Sequence, residues 1–322
     1  AVALLLLLLG PGRVVAADLQ VGPGQTYTTL QSAVDAAAAT GDTILVDPGL
    51  YAEQVTVDAK DLAIIGTGSG STIVEAPASL ASLFNDGSDH FPVIGIQGAD
   101  VTLSGLTVDG LGGGNLHERF YGVLFHDAGG ALDDVVVTGV RNTPRDGTAH
   151  GVGVAVLIDD ATARSVALAD CTIDDFQQGG LVAITTAGTV LDVTVDQCTI
   201  VGAGPTSVIA QNGVQVTGGD ASVAITGTTV LDLAYTGVDL TATGLLLQDA
   251  TGTVSADTLT ACQTAVHLAR AAVTVDQNQI VVPRPTDHGR GIVIDNVDPD
   301  FAVASRRTPR PSPYLPDRRA GG

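Results

Sequence analysis

The segment ADCTIDDF, residues 169–176, contains a Cys-Thr-Ile phrase that returns 27 residues later as Cys198-Thr199-Ile200. Seven phrases of this kind follow one another along the chain at intervals of 21 to 36 residues. Their first residues are Leu106, Val135, Cys171, Cys198, Thr228, Asp257 and Asn278. Self-similarity at this period indicates a repeat protein, in which each unit buries its apolar face only against its neighbours.

Two further sequence phrases repeat with the same period as the first. One is a glycine followed by aliphatic residues, as in Gly122-Val-Leu-Phe, and the other is a short run such as Ser165-Val-Ala-Leu. Each period therefore holds three short strands, too few for a four-stranded propeller blade but enough for one coil of a parallel β-helix, whose coils stack about 4.8 Å apart. Parallel crossovers are right-handed in nearly all proteins. We predict an all-β fold, a right-handed parallel β-helix with three sheets.

Equivalent positions on adjacent coils of such a helix lie one above the other. Cys171 and Cys198 are therefore predicted to be inward-facing neighbours in a ladder that Thr228, Asp257 and Asn278 continue. Packed thiols, a disulfide and a metal pair are all compatible with this spacing. The third cysteine of the chain lies off the ladder.

Composition and charge agree with a β protein and exclude several partners. Hydrophobic residues make up 45% of the chain, whereas aromatic residues make up 3% and Trp and Met are absent, so the core must be aliphatic. The net charge of −21 repels nucleic acid and anionic membranes. We expect no nucleic-acid partner, no insertion into a membrane and a monomeric protein.

The two ends of the chain differ from the body. Residues 1–17, AVALLLLLLGPGRVVAA, are typical of a secretory signal peptide, with a small-residue cleavage site before Asp18. This predicts a secreted, cell-surface or periplasmic protein with its β-helix domain over 18–302. Residues 303–322 are rich in Pro and Arg, and we predict a disordered tail.

One helix is predicted before the repeats begin. Residues 28–40, TTLQSAVDAAAAT, place Thr28 and Gln31 in a capping box, and Gly41 follows as a stop. We expect this short N-terminal helix to cap the solenoid.

From about Val21 to Val282 the chain resembles secreted right-handed parallel β-helix proteins of the pectin-lyase-like superfamily. Its opening segment, YTTLQSAVDAAAATGDTILVDPGLYAEQVTVDAKDLAIIGTG over 27–68, is similar to the start of pectinesterases and of periplasmic β-helix proteins that assist nitrous-oxide reductase maturation. The resemblance implies that the helix covers the first coil and protects its sheet edge. Since the catalytic motifs of pectinesterases and polygalacturonases have no full counterpart here, it implies no catalytic residue.

The longest connections of successive periods follow the Cys-Thr-Ile strand. Loops at one corner of successive coils emerge on the same side, where they can form the walls of a groove. We predict that this groove is the functional site. Its loops are 109–121, 141–150, 174–179, 201–212 and 231–236.

Cationic side chains gather over residues 115–150 of an otherwise acidic chain. Arg119 and Arg145 are predicted to bind the carboxylate of an acidic sugar, because arginine forms planar two-point hydrogen bonds to carboxylates. Tyr121 or His150 is then predicted to take the proton beside that carboxyl group, which is lyase chemistry. The alternative is that these residues are solvated loop residues that pair with one another and with nearby acids.

No cofactor is required by this chemistry, although a Ca²⁺ ion would also neutralise the carboxylate. The predicted ligands of such an ion are Asp146, Asp174 and Asp175. Six further residues are predicted to contact the polysaccharide, with hydrogen bonds to neighbouring loops as the alternative for the amides. They are His117, Arg141, Gln177, Gln211, Asn212 and Tyr235.

The sequence thus leads to three functional hypotheses. The first is a secreted protein that binds an acidic polysaccharide along the groove and cleaves it by elimination. The second is a non-catalytic structural or cell-surface β-helix whose loops contact other proteins. The third is a glycoside hydrolase, which needs two carboxylates across the scissile bond, with Glu118, Asp146, Asp174 and Asp175 as candidates.

Overall fold

The computed structural model describes residues 16–148, 150–186, 188–282 and 289–295, together with the backbone of Ser305–Arg306. The predicted signal peptide, apart from residues 16 and 17, lies outside this part of the chain, as does most of the predicted tail. The backbone of Ser305–Arg306 forms a two-residue strand. Within the described residues, no helix is both long and apolar enough to cross a bilayer.

Strands dominate the structure, and every pairing between them is parallel. In chain order they are β1 Asp18–Val21, β2 Thr40–Val46, β3 Gly49–Ala52, β4 Val55–Asp58, β5 Asp61–Ile65, β6 Thr72–Glu75, β7 Phe91–Gln97, β8 Asp100–Asp109, β9 Phe120–His126, β10 Gly129–Thr138, β11 Val152–Ile158, β12 Arg164–Ala169, β13 Thr172–Ile173, β14 Gly179–Thr185, β15 Leu191–Asp196, β16 Thr199–Thr206, β17 Asn212–Thr226, β18 Thr229–Tyr235, β19 Thr243–Ser255, β20 Thr258–Thr260, β21 Thr264–Ala269, β22 Ala272–Asp276, β23 Gln279–Val281, β24 Arg290–Asp295 and β25 Ser305–Arg306.

The pairings sort these strands into three sheets, which confirms the predicted right-handed parallel β-helix. Sheet A runs from β1 and β2 through β5, β12 and β15 to β22 and β25. Sheet B contains β3, β6, β13, β16, β18, β20 and β23. Sheet C contains β4, β7, β9, β11, β14, β21 and β24. The long strands β8 and β10 belong to sheets A and B, and β17 and β19 belong to sheets C and A.

The predicted ladder is confirmed along its length. Thr172 pairs with Thr199, which places Cys171 and Cys198 on adjacent rungs, and the Thr199 amide donates to the Cys171 carbonyl at 2.8 Å. The pairs Thr199–Thr229, Thr229–Thr258 and Thr258–Gln279 continue the same register. All three cysteines are buried and carry free thiols.

The polar rungs of the ladder bind the backbone of the preceding coil. The Thr228 amide donates to Asp257 Oδ1 at 2.7 Å, and the Asp257 amide donates to Asn278 Oδ1 at 2.8 Å. Asn278 also donates through Nδ2 to the Val254 carbonyl at 2.8 Å. These side chains satisfy amides that the bend between sheets A and B removes from the strand ladders.

That bend is made by one left-handed residue in each coil. The residue directly before each rung has a φ between 50° and 63°, a left-handed conformation that bends the chain from sheet A into sheet B at a single position. These residues are Gly105, Asp134, Asp170, Gln197, Gly227, Ala256 and Gln277.

The repeated glycine of sheet C is required by close contact between coils. A Cβ at Gly122 would lie 2.7 Å from the Gly153 carbonyl oxygen, and a Cβ at Gly180 would lie 2.6 Å from that of Gly213. Ordinary side chains cannot approach backbone so closely. One coil was not predicted from the repeated glycine phrase, because β21 has Ala265 instead of glycine at this position.

The predicted N-terminal helix is present but shorter than expected. Helix α1 spans Leu30–Ala36, and its N-cap is Thr29, whose Oγ1 accepts from the Ser32 amide, so Thr28 is not the cap. The expected extent of 28–40 was wrong, because β2 already begins at Thr40. The buried residues of the helix, Leu30, Ala33 and Val34, cover the apolar end of the first coil.

Charged side chains from the first coil hold both ends of α1. The Glu53 carboxylate accepts from the amides of Leu30 and Gln31 at 2.8 and 3.0 Å. Lys60 Nζ donates to the carbonyls of Val34, Asp35 and Ala37. A carboxylate at the N-terminus and an ammonium at the C-terminus both complement the helix dipole.

Two predicted loops are extended strand instead. β16 continues to Thr206 and β18 to Tyr235, and the two pair over this extension, from Val201 with Leu231 to Thr206 with Tyr235. Residues 201–212 and 231–236 were therefore only partly loops.

We predict that Asp257→Asn stabilises the protein at neutral pH. Burial raises the pKa of Asp257 to about 6 from 3.8, so its ionised form costs folding free energy above pH 6. The substitution should raise the unfolding free energy by about 2 kcal/mol near pH 8, a gain that fades as the pH falls through 6 and is gone below about pH 4. Urea denaturation at a series of pH values measures it.

Asn278→Asp is the matched control, because Asn278 occupies the next rung with its amide hydrogen-bonded to Val254. This variant should lose stability near pH 8. Equal stability of Asp257→Asn and wild type across the pH series would contradict the assigned burial of the carboxylate.

Candidate functional site

A cleft of about 330 Å³ lies on the outer face of sheet C, over strands β9, β11 and β14. Alternate residues of these strands face inward, as Val154 and Val156 do in the main core. The residues between them face outward, and Ala155, Leu157 and Val182 form the apolar floor of the cleft.

Three of the four predicted catalytic residues line this one cleft. They are Arg119, Tyr121 and His150. Arg119 and His150 come from the predicted loops 109–121 and 141–150, and Tyr121 is the second residue of β9. The fourth, Arg145, does not line the cleft. The structure brings the three together, and their chemical roles stay predictions.

The segment 77–90, between β6 and β7, supplies two residues that the sequence did not single out. His90 is fully buried, with Nδ1 3.0 Å from Tyr121 Oη and Nε2 3.0 Å from Arg119 Nη1. Asp86 places Oδ2 3.2 Å from the same arginine nitrogen and Oδ1 3.3 Å from His90 Nε2. A connected network of Asp86, Arg119, His90 and Tyr121 thus reaches the cleft.

His90 is a neutral imidazole whose Nε2 atom faces two different groups. Burial lowers the pKa of His90, so the imidazole is neutral at neutral pH. Its Nε2 atom lies near both a donor, Arg119 Nη1, and an acceptor, Asp86 Oδ1, so either tautomer fits these contacts. With the ring proton on Nδ1, His90 donates to Tyr121 Oη, and the phenolic hydrogen of Tyr121 is left for a group in the cleft.

Tyr121 is a neutral phenol under ordinary conditions. Its side chain is 7% exposed, and burial raises its pKa to about 12. The His90 ring lies nearly parallel to it, with centroids 5.6 Å apart, and Phe84 stacks on the other face of His90 at 3.9 Å. These contacts fix the direction of the hydroxyl group, which is suited to donate a proton.

His150 is the more accessible titratable group of the cleft. Its side chain is 30% exposed, and Nε2 lies 3.7 Å from Glu118 Oε1, too far for a hydrogen bond. An imidazole in this position can take a proton from a bound molecule and give it to solvent.

Arg141 and Arg145 are held by the same aspartate. Arg141 Nε lies 2.7 Å from both oxygens of Asp175, and Arg145 Nη2 donates to Asp175 Oδ1 and to the Phe176 carbonyl at 3.0 Å each. Arg141, predicted to bind the polysaccharide, and Arg145, predicted to be catalytic, therefore pair with the neighbouring loop 174–179. Asp175, a predicted Ca²⁺ ligand, accepts hydrogen bonds from both guanidinium groups.

Gln177 and Asp146 form a second internal network in the same loops. Gln177 is fully buried, and it accepts from the Asn142 amide and donates to Asp146 Oδ1, both at 2.9 Å. Hydrogen bonds from Thr148 and Asn142 hold the pKa of Asp146 far below its ordinary value. The lone pairs of Asp146 are thus used by the protein.

The three predicted Ca²⁺ ligands do not meet as a group with metal-ligand spacing in the described part of the chain, and their role stays a prediction. Asp146 and Asp175 accept from protein donors, and Asp174 has one buried oxygen without a hydrogen-bond partner among the described residues. The described part of the chain does contain a group with metal-ligand spacing, but it lies elsewhere, at the end of β9.

His117 and Gln211 also face the interior. His117 accepts from the Leu80 amide at 3.0 Å and contacts the Gly113 carbonyl at 3.2 Å, so it joins the segment 77–90 to a 3₁₀ turn over Gly113–Leu116. Gln211 accepts from the Ala203 amide and donates to the Phe176 carbonyl, each at 2.7 Å. Hydrogen bonding to neighbouring loops, the alternative weighed from sequence, is what the structure shows for Gln211.

Of the last two predicted binding residues, Asn212 contacts the lining residue Gln215 of the cleft, and Tyr235 lies apart from the cleft. Asn212 Nδ2 donates to Gln215 Oε1 at 3.1 Å at the start of β17. Tyr235 lines a separate pocket of about 810 Å³ formed with residues such as Gln263 and Arg290. Their contacts with a polysaccharide stay predictions.

Comparison with solved structures finds similar chains at low sequence identity and with TM-scores below 0.5. A pectin methylesterase from carrot is 14% identical with a TM-score of 0.44, over 89% of this chain and 88% of that one. The pectin methylesterase PemA from Erwinia chrysanthemi is 12% identical with a TM-score of 0.42, over 89% and 92%. The A-module of a mannuronan C-5 epimerase from Azotobacter vinelandii is 14% identical with a TM-score of 0.33, over 87% and 95%.

These likenesses concern the fold alone. At these TM-scores they add nothing to the parallel β-helix that the strand pairings of this chain already show. No protein-family model matches the chain, and no curated protein matches it. The chemistry of the cleft must therefore be argued from its own residues.

We predict that Gln177→Ala destabilises the protein without weakening polysaccharide binding. It removes the acceptor of the buried Asn142 amide and a donor to Asp146, which should cost about 2 kcal/mol of unfolding free energy. Urea denaturation and a glycan-binding assay below the transition measure the two effects. Unchanged stability together with lost binding would instead indicate that Gln177 contacts the polysaccharide.

Proposed function

We propose that the chain binds an acidic polysaccharide in the sheet C cleft and cleaves it by β-elimination. The observation that carries the proposal is the network in which buried His90 joins Arg119 to the hydroxyl group of Tyr121, beside His150 in one cleft. A cationic donor, a proton donor and a proton acceptor are the three groups that this reaction needs.

Arg119 is suited to bind the carboxylate of a uronate. Its Nη1 is occupied by Asp86 and His90, but Nε and Nη2 have no partner among the described residues, and the side chain is 37% exposed. Two donors in a fixed plane match the two oxygens of a carboxylate. The apolar floor at Ala155, Leu157 and Val182 suits the carbon face of a sugar ring.

The proton transfers follow from the two remaining groups. His150 takes the proton from the carbon beside the carboxyl group, the electron pair forms the new double bond, and the bond to the leaving oxygen breaks. Tyr121 donates its phenolic proton to that oxygen. In the tautomer that carries its proton on Nδ1, His90 stabilises the resulting phenolate. His150 releases its proton to solvent before Tyr121 is protonated again.

Secretion fits this function, since acidic polysaccharides lie outside the cell. The predicted signal peptide at residues 1–17 and the acidic composition support a protein that works in that compartment. Polysaccharide binding without cleavage is the second candidate, favoured by the low exposure of Tyr121 and by the ion pair of Arg119 with Asp86. Hydrolysis has less support, because Asp175 is engaged by two arginines.

We predict that Tyr121→Phe lowers the elimination rate about 100-fold or more while binding is retained, because the variant loses only the donated proton. The rate is measured from the ultraviolet absorbance of unsaturated uronates formed from pectate, alginate or glycosaminoglycans. Arg119→Ala should lose binding, measured on a glycan array.

Tyr51→Phe is the matched control for this experiment. Tyr51 is also 7% exposed and makes one phenolic hydrogen bond, to the Asp47 carbonyl at 2.8 Å, but it lies in the first coils. Its rate should equal that of wild type. A full rate in Tyr121→Phe would contradict the proposed role of the phenol, and binding without any elimination by wild type would leave the non-catalytic candidate.

A further inference from the structure

Three potential metal ligands meet where β9 and β11 end on adjacent coils. His126 Nε2 lies 3.7 Å from Asp127 Oδ2 and 3.7 Å from Asp159 Oδ2. One ligand atom from each residue lies within 4.8 Å of the others. The register that pairs His126 with Leu157 brings the three side chains together.

The backbone of the next coil fixes Asp127 in this arrangement. Asp127 Oδ1 accepts from the amides of Asp159 and Asp160 at 2.9 and 3.0 Å, so its other oxygen is the one that faces His126. Arg164, the cation beside this turn, is occupied by the Asp127 carbonyl and the Asp160 carboxylate at 3.0 and 3.1 Å. It does not neutralise the Oδ2 atoms of Asp127 and Asp159.

His126 is mostly buried, and its Nε2 atom faces two carboxylates that lie beyond hydrogen-bond distance. Neither of its ring nitrogens has a hydrogen-bond partner in the described chain, although the side chain is 12% exposed. Phe84 stacks on the ring with centroids 3.6 Å apart and planes 5° from parallel, which holds its orientation. Buried polar groups are nearly always paired, and one that is not points to a ligand that the protein itself does not supply.

We propose that His126, Asp127 and Asp159 bind a divalent transition-metal ion such as Zn²⁺. Ligand atoms around tetrahedral zinc are separated by roughly 3.4 Å, as follows from bond lengths of about 2.0 to 2.1 Å. The separations of 3.7 Å reach this value with a small movement of the Asp159 side chain, which is 61% exposed.

The ligand set favours transition metals over Ca²⁺ and Mg²⁺. Imidazole suits zinc, copper and nickel, whereas calcium and magnesium are bound by oxygen alone. Two carboxylates balance the charge of a divalent ion, and the exposure of Asp159 leaves a path from solvent and a position for water. This site is separate from the Ca²⁺ ligands predicted from sequence and does not depend on the function proposed for the cleft.

The test is calorimetric titration of chelator-treated, full-length protein with Zn²⁺ and, separately, with Ca²⁺. One equivalent of Zn²⁺ should bind, with Ca²⁺ at least tenfold weaker. His126→Gln and Asp159→Asn should each weaken Zn²⁺ binding about tenfold or more, in line with the loss of one ligand. Because Asp159 lies at the surface, its variant should fold normally, as circular dichroism would show.

His267→Gln is the matched control. His267 pairs with Asp295 at 2.8 Å on the outer face of sheet C and belongs to no group of three ligands in the described chain. Its affinity should equal that of wild type. No Zn²⁺ binding, binding that Asp159→Asn leaves unchanged, an equal loss in His267→Gln, or Ca²⁺ binding as tight as that of Zn²⁺ would overturn the proposal.

Discussion

Hydrogen bonding between coils stacked in register is the constraint on which the rest of this structure depends. A single coil has no partner within itself for its strand amides and no second layer for its apolar face, so both must be satisfied by the coils above and below. The parallel pairs of Thr172 with Thr199 and of Val154 with Val123 and Leu181 show this register in two sheets. Side chains about thirty residues apart consequently become neighbours.

The candidate site is a product of the same register. Tyr121 and His90 are 31 residues apart, and Arg119 and Asp86 are 33 apart, yet both pairs are in contact on the outer face of sheet C. The segment 77–90 adds burial at the centre of the network, because Phe84 stacks on the ring of His90. The neutral His90 imidazole links Arg119 and Asp86 on one nitrogen to the Tyr121 phenol on the other, so the contacts of the network fix the position of the tyrosine hydroxyl group.

Much of the fold could be predicted from sequence because inward-facing positions repeat. The ladder from Cys171 to Asn278 was predicted from the repeated sequence phrase alone, because each of its residues occupies the same bend of a coil. The coil at Ala265 was not predicted, because alanine replaces the usual glycine there. Helix α1 was predicted too long because its alanines favour helix, whereas Thr40 already pairs with β5 in sheet A.

The site could be predicted only in part. Arg119, Tyr121 and His150 were found from the local excess of cations, but the pairing of Arg141 and Arg145 with Asp175 depends on loop geometry that no repeat specifies. His90 and Asp86 lie in an irregular segment without periodicity, so their sequence carried no signal.

The most direct test of the central claim is to detect scalar couplings across hydrogen bonds by NMR of deuterated protein. In-register stacking predicts couplings from the Thr199 amide to the Cys171 carbonyl and from the Thr229 amide to the Cys198 carbonyl, both at 2.8 Å. Couplings that instead connect these strands to sequence neighbours in antiparallel hairpins would contradict the fold and the site built on it.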